Sequence, residues 1–332
     1  MASARRLSYR DAGVDLDASS LLHDYASRIL SGRRDAFTSA VEIAGSELVL
    51  HVDGVGTKTL VLQASGRLWV AGWDCVVMNT NDVACDSARP VALVDYIAMP
   101  STDENAFKSI IEGVRKAARE TGSILLGGET AILPGISRGI DVVCTVLAVR
   151  GRGWSGNRAH VGDVVVGVES SGLHANGYSL ARKIVEEYMG GYDTRIDGRR
   201  LADILSTPTI NYAGFLLEAW RNKLINAAVH VTGGAYTKAK RVLPDKAEMK
   251  LTLPEPPKIF RALLEAGNVD PWEAHRVWNM GYGLLLTTNP DNTKQLEKLA
   301  RKHNLKTTIL GEVRQHTTKT ITLETIYGKL TY

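Results

Sequence analysis

Glutamine is nearly missing from these 332 residues: only Gln63, Gln295 and Gln315 occur, a depletion that fits a thermophilic source. No apolar run approaches the roughly 20 residues a membrane helix needs, and the opening MASARRLSYRDAG lacks the apolar core of a secretory leader. A cytoplasmic protein without a membrane partner is therefore expected. Cys75, Cys85 and Cys144 have no C-x-x-C spacing and lie among apolar residues, so buried free thiols are expected in place of a metal site. A net charge of +4 is small for this length, and Arg33-Arg34 and Arg199-Arg200 are pairs, not a tract, so nucleic acid is not an expected partner. No G-x-x-x-x-G-K-[ST] occurs either, which excludes a P-loop.

The length suits two domains of about 150 residues. With 44% hydrophobic residues, and 31 glycines against 10 prolines, the composition is that of an α/β enzyme with many tight turns. The chain is organised around Val52-Asp53-Gly54-Val55-Gly56-Thr57-Lys58, which follows the β-forming run Leu48-Val49-Leu50. Two glycines allow close backbone approach, Asp53 can hold a cation and Lys58 can neutralise a phosphate. The heptapeptide alone also fits a hairpin turn with a surface Asp and Lys.

Before that turn, a helix is predicted from Ala18 to Leu30, with Leu21, Leu22, Tyr25 and Ile29 on one face. The polar arm ahead of it is either a leader or a flap over a site. After the turn comes a largely apolar helical stretch through Asp86, on which Asp74 and Asn81 lie two turns apart with Asp82 beside them. Burying these groups unpaired is costly, so something should bind them. Asp95 interrupts the apolar strand Val91 to Ala98. Ser101 to Glu104 reads as a capping box for a helix that Gly122 stops after Thr121. A second strand end carries Gly127-Gly128-Glu129-Thr130. Asp53, Asp74, Asp82, Asp95 and Glu129 thus offer hard oxygen ligands suited to Mg²⁺ on nucleotide phosphates, with no matching His/Cys set.

Glycines 151, 153, 156 and 162 mark the predicted boundary between domains 1–160 and 161–332. Beyond it, Ser170 to Ser179 opens a helix ending near Met189, and its amides and hydroxyls suit a phosphate. His174 there reads equally as a helix-cap histidine. His230-Val231-Thr232-Gly233-Gly234 repeats the pattern of strand end and glycines, and Asn279-Met280-Gly281 precedes another strand.

Taken in order, these motifs resemble the phosphoribosylformylglycinamidine cyclo-ligases, also called aminoimidazole ribonucleotide synthetases. The resemblance runs from Ser8-Tyr9-Arg10-Asp11-Ala12-Gly13-Val14-Asp15 through the Asp53 to Lys58 turn, Asn81-Asp82, Asp95-Tyr96, Gly127 to Ala131 and His174 to Ser179. It continues through His230 to Gly234 and Asn279 to Gly281. It implies two α/β domains, the first a mixed sheet that closes a barrel with its copy in a homodimer, the second an α/β layer. It implies ATP-dependent ring closure of formylglycinamidine ribonucleotide, with ATP and Mg²⁺ as cofactors. Residue by residue, it implies Asp53, Asp74, Asp82, Asp95 and Glu129 as the metal shell. Gly54, Gly56, Thr57, Lys58 and Asn81 would join them on the nucleotide. Ser171, His174, Asn176, Thr232, Gly233 and Gly234 would hold substrate, and Lys58, His174 and Asp95 would take the catalytic roles.

The chain departs from the family pattern twice. Arg33 to Ala40 stands where the family carries a glycine-rich segment and a lysine, with no lysine at all before Lys58, and Ile132 replaces an acidic residue. Related ATP-dependent enzymes, such as thiamine-monophosphate kinase and selenophosphate synthetase, remain as the alternative, as does a nucleotide-binding subunit without turnover.

Overall fold

The computed structural model describes residues 6–29, 33–151 and 154–332. Two mixed sheets carry the molecule. The first consists of β1 (Arg33–Arg34), β2 (Ser39–Ile43), β3 (Ser46–Gly54), β4 (Arg89–Met99), β5 (Ile124–Ile132) and β6 (Asp141–Arg150), in the order β1-β2-β3-β6-β4-β5. Only β4 and β5 run parallel, and the helix α4 (Glu104–Thr121) makes their crossover. The second sheet contains β7 (Val164–Glu169), β10 (Ala227–His230), β11 (Ala247–Thr252), β12 (Tyr282–Thr288), β13 (Thr307–Gln315), β14 (Thr320–Thr325) and β15 (Gly328–Thr331). Its order is β10-β12-β7-β13-β11-β14-β15, and the short pair β8 (Arg195–Ile196) and β9 (Arg199–Arg200) stands apart. Around the sheets lie α1 (Leu16–Ile29), α2 (Lys58–Ala64), α3 (Trp69–Cys85), α5 (Tyr178–Tyr188), α6 (Leu201–Leu205) and α7 (Ala213–Arg221). The remaining helices are α8 (Lys258–Ala266), α9 (Pro271–Val277) and α10 (Thr293–Lys302). Among the described residues no helix is long and apolar enough to cross a membrane.

Helix α3 is the keystone. Every residue from Val70 to Cys85 is buried, because α3 packs on the inner face of the first sheet, on α4, and on α7 and β10 of the second half. Its contact with α4 is made backbone to backbone at two glycines. A Cβ on Gly72 would lie 2.0 Å from the Ile110 carbonyl oxygen, and one on Gly113 would lie 1.8 Å from that of Trp69. The cap of α4 is Asp103, whose side chain accepts from the Ala106 N–H, not the Ser101–Glu104 box the sequence suggested. Gly122, at φ 68°, ends it as expected.

One expectation is corrected. Cys75 on α3 and Cys144 on β6 are not free thiols but a disulfide, their Cα atoms 5.5 Å apart; Cys85 is buried and free. The predicted helix 18–30 is found as α1, starting two residues earlier, and its stripe of Leu21, Leu22, Tyr25 and Ile29 is exposed. Leu30 lies outside the described residues. The outer face of the first sheet is likewise open and apolar, presenting Val41, Leu50, Val52, Val94 and Tyr96.

Replacing Gly72 with Ala forces α3 and α4 apart. Unfolding in urea is expected to lose about 3 kcal/mol, the upper range for overpacking, whereas Gly122→Ala, in open space but at positive φ, should lose only about 1 kcal/mol.

Candidate functional site

The polar residues of α3 that looked like ligand donors are largely consumed by the protein itself. Asp74 Oδ1 accepts the Thr209 N–H at 2.8 Å, and Asn81 both donates to the Ile210 carbonyl at 2.9 Å and accepts from the Tyr212 N–H at 2.8 Å. Trp73 Nε1 donates to the Thr209 carbonyl at 2.8 Å. The segment 207–212 of the second half is thus stitched along α3 by its main chain. Lys58, at the start of α2, completes the seam. Its Nζ donates to Asp74 Oδ2 at 2.5 Å and to the carbonyls of His174 at 2.6 Å and Thr207 at 2.8 Å, with both charged side chains 0% exposed. Burial pushes the Lys58 ammonium down and the Asp74 carboxyl up, each opposed by the other's charge. Lys58 therefore joins the two halves, its ammonium bonded to protein groups and absent from the lining of the cavity described below. Asp74 is engaged in the same seam through both of its carboxylate oxygens.

The other acids scatter. Asp82 lies between two imidazoles: Oδ1 is 2.7 Å from His230 Nδ1, and Oδ2 is 3.5 Å from His51 Nε2. Burial pulls its carboxyl up, but His230, Lys238 and His51 together hold it below the usual range. Asp53 and Asp95 occupy one row of the first sheet, each opposite Cys144, on the face toward α3 and two strands apart, about 10 Å. Burial pushes both carboxyls up, and the charge of Asp82 adds to the effect at Asp53. Gly128 stands next in that row, where a Cβ would collide with Asp95. Glu129, one residue on and opposite Tyr96, is exposed and points to the other face. The five acids are not drawn together, and among the described residues no group of three or more His, Cys, Asp or Glu is arranged to hold an ion.

From Ser170 to Gly177 the chain is a loop, and α5 begins only at Tyr178. His174, at φ 62°, is buried, and its Nε2 accepts the Ser171 N–H at 3.2 Å. That bond assigns the ring proton to Nδ1, which has no partner among the described residues; Asn176 Oδ1 has none among them either. Burial and the nearby Lys58 and His230 charges keep His174 well below the ordinary imidazole pKa, hence neutral. Ser171 Oγ donates to the Pro208 carbonyl at 2.6 Å, so its hydroxyl helps fix the loop.

The cavity these elements frame measures about 480 Å³ and is lined by Asp53, Asn176, Thr232, Gly233, Gly234 and Lys238, with Arg241, Arg276 and α1 at its border. The Gly54 to Thr57 turn adjoins it, Thr57 Oγ1 lying 3.0 Å from Ser179 Oγ. Sequence reasoning missed Lys238 and Arg241, although the basic run Lys238-Ala-Lys-Arg241 shortly after Gly233-Gly234 was a signal. It also missed His51 and His230 as the partners of Asp82. A larger hollow of about 600 Å³ beside Trp69 lies away from these groups, and its Lys116 already rests over Trp69 and Trp73 at 5.1 and 5.3 Å.

Lys58→Met leaves Asp74 charged and unpaired, so unfolding free energy is expected to fall by about 3–5 kcal/mol, while Lys58→Met with Asp74→Leu recovers most of it. Stability should also fall with acid. His275, buried on α9, is pushed down to about 4, so between roughly pH 6.5 and 4 the unfolded chain binds a proton the native chain does not, a loss of about 3 kcal/mol. Urea titrations across that window check the sign, and His275→Phe should flatten the profile.

Comparison with known proteins fits this architecture. The model of the AIR synthase related protein N-terminal domain matches residues 35–149, and that of its C-terminal domain matches 160–324. The phosphoribosylformylglycinamidine cyclo-ligase of Saccharolobus solfataricus is 38% identical over 296 residues, 87% of this chain and 88% of the relative. That of Methanocaldococcus jannaschii is 36% identical over 323 residues, 92% of each. Among solved structures, thiamine-monophosphate kinase from Stenotrophomonas maltophilia K279a shares the fold at TM-score 0.63 and 21% identity, covering 94% of this chain and 95% of that one. The hydrogenase maturation protein HypE in complex with ATP does so at TM-score 0.63 and 17% identity, covering 89% and 86%. With two domain models in the expected order and relatives above 30% identity along almost its whole length, the chain belongs to the phosphoribosylformylglycinamidine cyclo-ligase family.

Proposed function

We propose that this chain closes the imidazole ring of purine biosynthesis, converting formylglycinamidine ribonucleotide and ATP to 5-aminoimidazole ribonucleotide, ADP and phosphate. The observation that carries this reading is the match over most of the chain to relatives of that name, on a fold whose two halves frame one polar cavity. In this reaction the γ-phosphoryl group passes to the formyl oxygen and ADP leaves. A substrate nitrogen then attacks the activated carbon, the carbon–oxygen bond breaks with loss of phosphate, and the nitrogen gives up its proton. Phosphorylation turns a poor leaving group into a good one.

The residues divide that work. Asp53, the one acid of the predicted set that lines the cavity, suits Mg²⁺ carried on nucleotide phosphates, with Asp82 behind it as a second carboxylate; Mg²⁺ would supply charge neutralisation of the transferred phosphoryl group. Gly54, Gly56 and Thr57 offer backbone and hydroxyl contacts beside it. His174 Nδ1–H and Asn176 Oδ1 are buried polar atoms in want of partners, and substrate supplies them. As a neutral donor, His174 stabilises charge developing on the reacting oxygen. Asp95 lies along the sheet from Asp53 and acts on the site through that row. Residues 1–160 carry the nucleotide side and 161–332 the substrate side.

The open apolar face of the first sheet is the surface through which two copies pair, and Glu129 lies on it. Such a face is an aggregation hazard unless covered, and Leu50→Glu should turn a dimer into a monomer by light scattering; an unchanged mass would remove the pairing from the account.

The purified protein should release ADP with Mg-ATP only when formylglycinamidine ribonucleotide is present, with aminoimidazole product in equal amount. ATP hydrolysis that ignores this substrate would point instead to a relative with another acceptor. His174→Ala is expected to lower kcat about 100-fold with little change in the KM for ATP.

A further inference from the structure

The arm 35–38 lies within Arg33 to Ala40, one of the two places where the chain departs from the family pattern, and many side chains hold it. The buried carboxylate of Asp86 accepts the N–H groups of Phe37 and Thr38 at 2.9 and 2.8 Å and the Thr38 hydroxyl at 2.9 Å. Its other oxygen accepts from Asn157 at 3.0 Å. Arg150, buried and lying 4.1 Å over the Trp154 ring, binds Asp35 and Glu47 at 2.6 Å each and the Asp86 carbonyl at 3.0 Å. All this anchoring lies in the first half, yet its product is a ring offered to the second. Lys238 Nζ sits 5.8 Å and Arg241 Cζ 5.6 Å from the centre of Phe37.

Neither cation has a carboxylate within ion-pair distance among the described residues. Lys238 spends one of its three donors on Thr232 Oγ1, and Arg241 has only a long bond of 3.5 Å to the Ala36 carbonyl. Both border the cavity, where Asn176 Oδ1 waits for a donor. Arg276, by contrast, is already paired with Asp17 at 2.6 Å.

We infer that Phe37 is a platform that presents Lys238 and Arg241 to the phosphate of a ribose 5-phosphate group, whose neighbouring hydroxyl satisfies Asn176. A monoester puts a dianion and a hydroxyl on one small sugar, matching two cations and one acceptor in one cavity. The terminal phosphates of a triphosphate lie too far from their ribose to do both. The inference depends on the cyclo-ligase reading only for what the ribose carries.

Calorimetric titration of the full-length protein with ribose 5-phosphate, and separately with a non-hydrolysable ATP analogue and Mg²⁺, tests it without turnover. Lys238→Met should weaken ribose 5-phosphate about 10- to 100-fold. Lys238→Arg should restore most of the loss, and Phe37→Leu should cost about fivefold while keeping the apolar contact. The ATP analogue should stay within about twofold throughout. Three results overturn the inference: no ribose 5-phosphate binding by the natural protein, equal affinity in the Lys238→Met and Phe37→Leu variants, or a loss confined to the ATP analogue. Absence of aminoimidazole product, with ribose 5-phosphate binding intact, would sink the cyclo-ligase reading and leave this one standing.

Discussion

Lys58 and Asp74 are withdrawn from water at the meeting point of the two halves, and the local geometry is arranged to make that tolerable. Removing each ion from water costs several kcal/mol, offset here by the short contact between them, by two carbonyls facing the ammonium and by the Thr209 N–H facing the carboxylate. One of those carbonyls belongs to His174. The pair therefore fixes the left-handed residue whose imidazole has a free Nδ1, so the loop around the cavity inherits its position from a bond buried well behind it. The disulfide between Cys75 and Cys144 holds the same helix to the first sheet from its other side.

Charge in the cavity changes sign from inside outward. Asp82 is buried with its carboxyl held low by His230, Lys238 and His51, Asp53 is half-buried with its carboxyl pushed up, and Arg241 at the border is exposed. An anionic ligand thus meets cations first and acids last. This gradient orients a ligand before any specific contact is made.

Much of this could be read from the chain. The strand and glycine turn ending at Lys58 and the end of α4 at Gly122 follow from local patterns, and the run of motifs identifies the family. What could not be read has physical reasons. The partners of Asp74 and Asn81 are main-chain groups of residues 207–212, and backbone donors leave no mark in a sequence. Lys58 resembles a phosphate ligand by its glycines, and only the tertiary seam reveals a buried counter-ion. Glu129 fell in with the other acids because a one-residue difference in strand register, invisible in one dimension, decides the face. The pairing of Cys75 with Cys144 depends on how α3 crosses β6, across 69 residues of separation.

The seam on α3 also determines which parts of the molecule can move to admit a ligand. Swinging one half away from the other would expose the Lys58 pair, strip Asn81 of its bonds and pull Asp82 from His230. Helix α1 covers the same cavity with an apolar stripe turned to solvent, and the ion pair of Asp17 with Arg276 ties it to α9. Of the walls of that cavity, α1 is therefore the one held by surface contacts such as this pair, whereas the others are tied into the buried seam of α3.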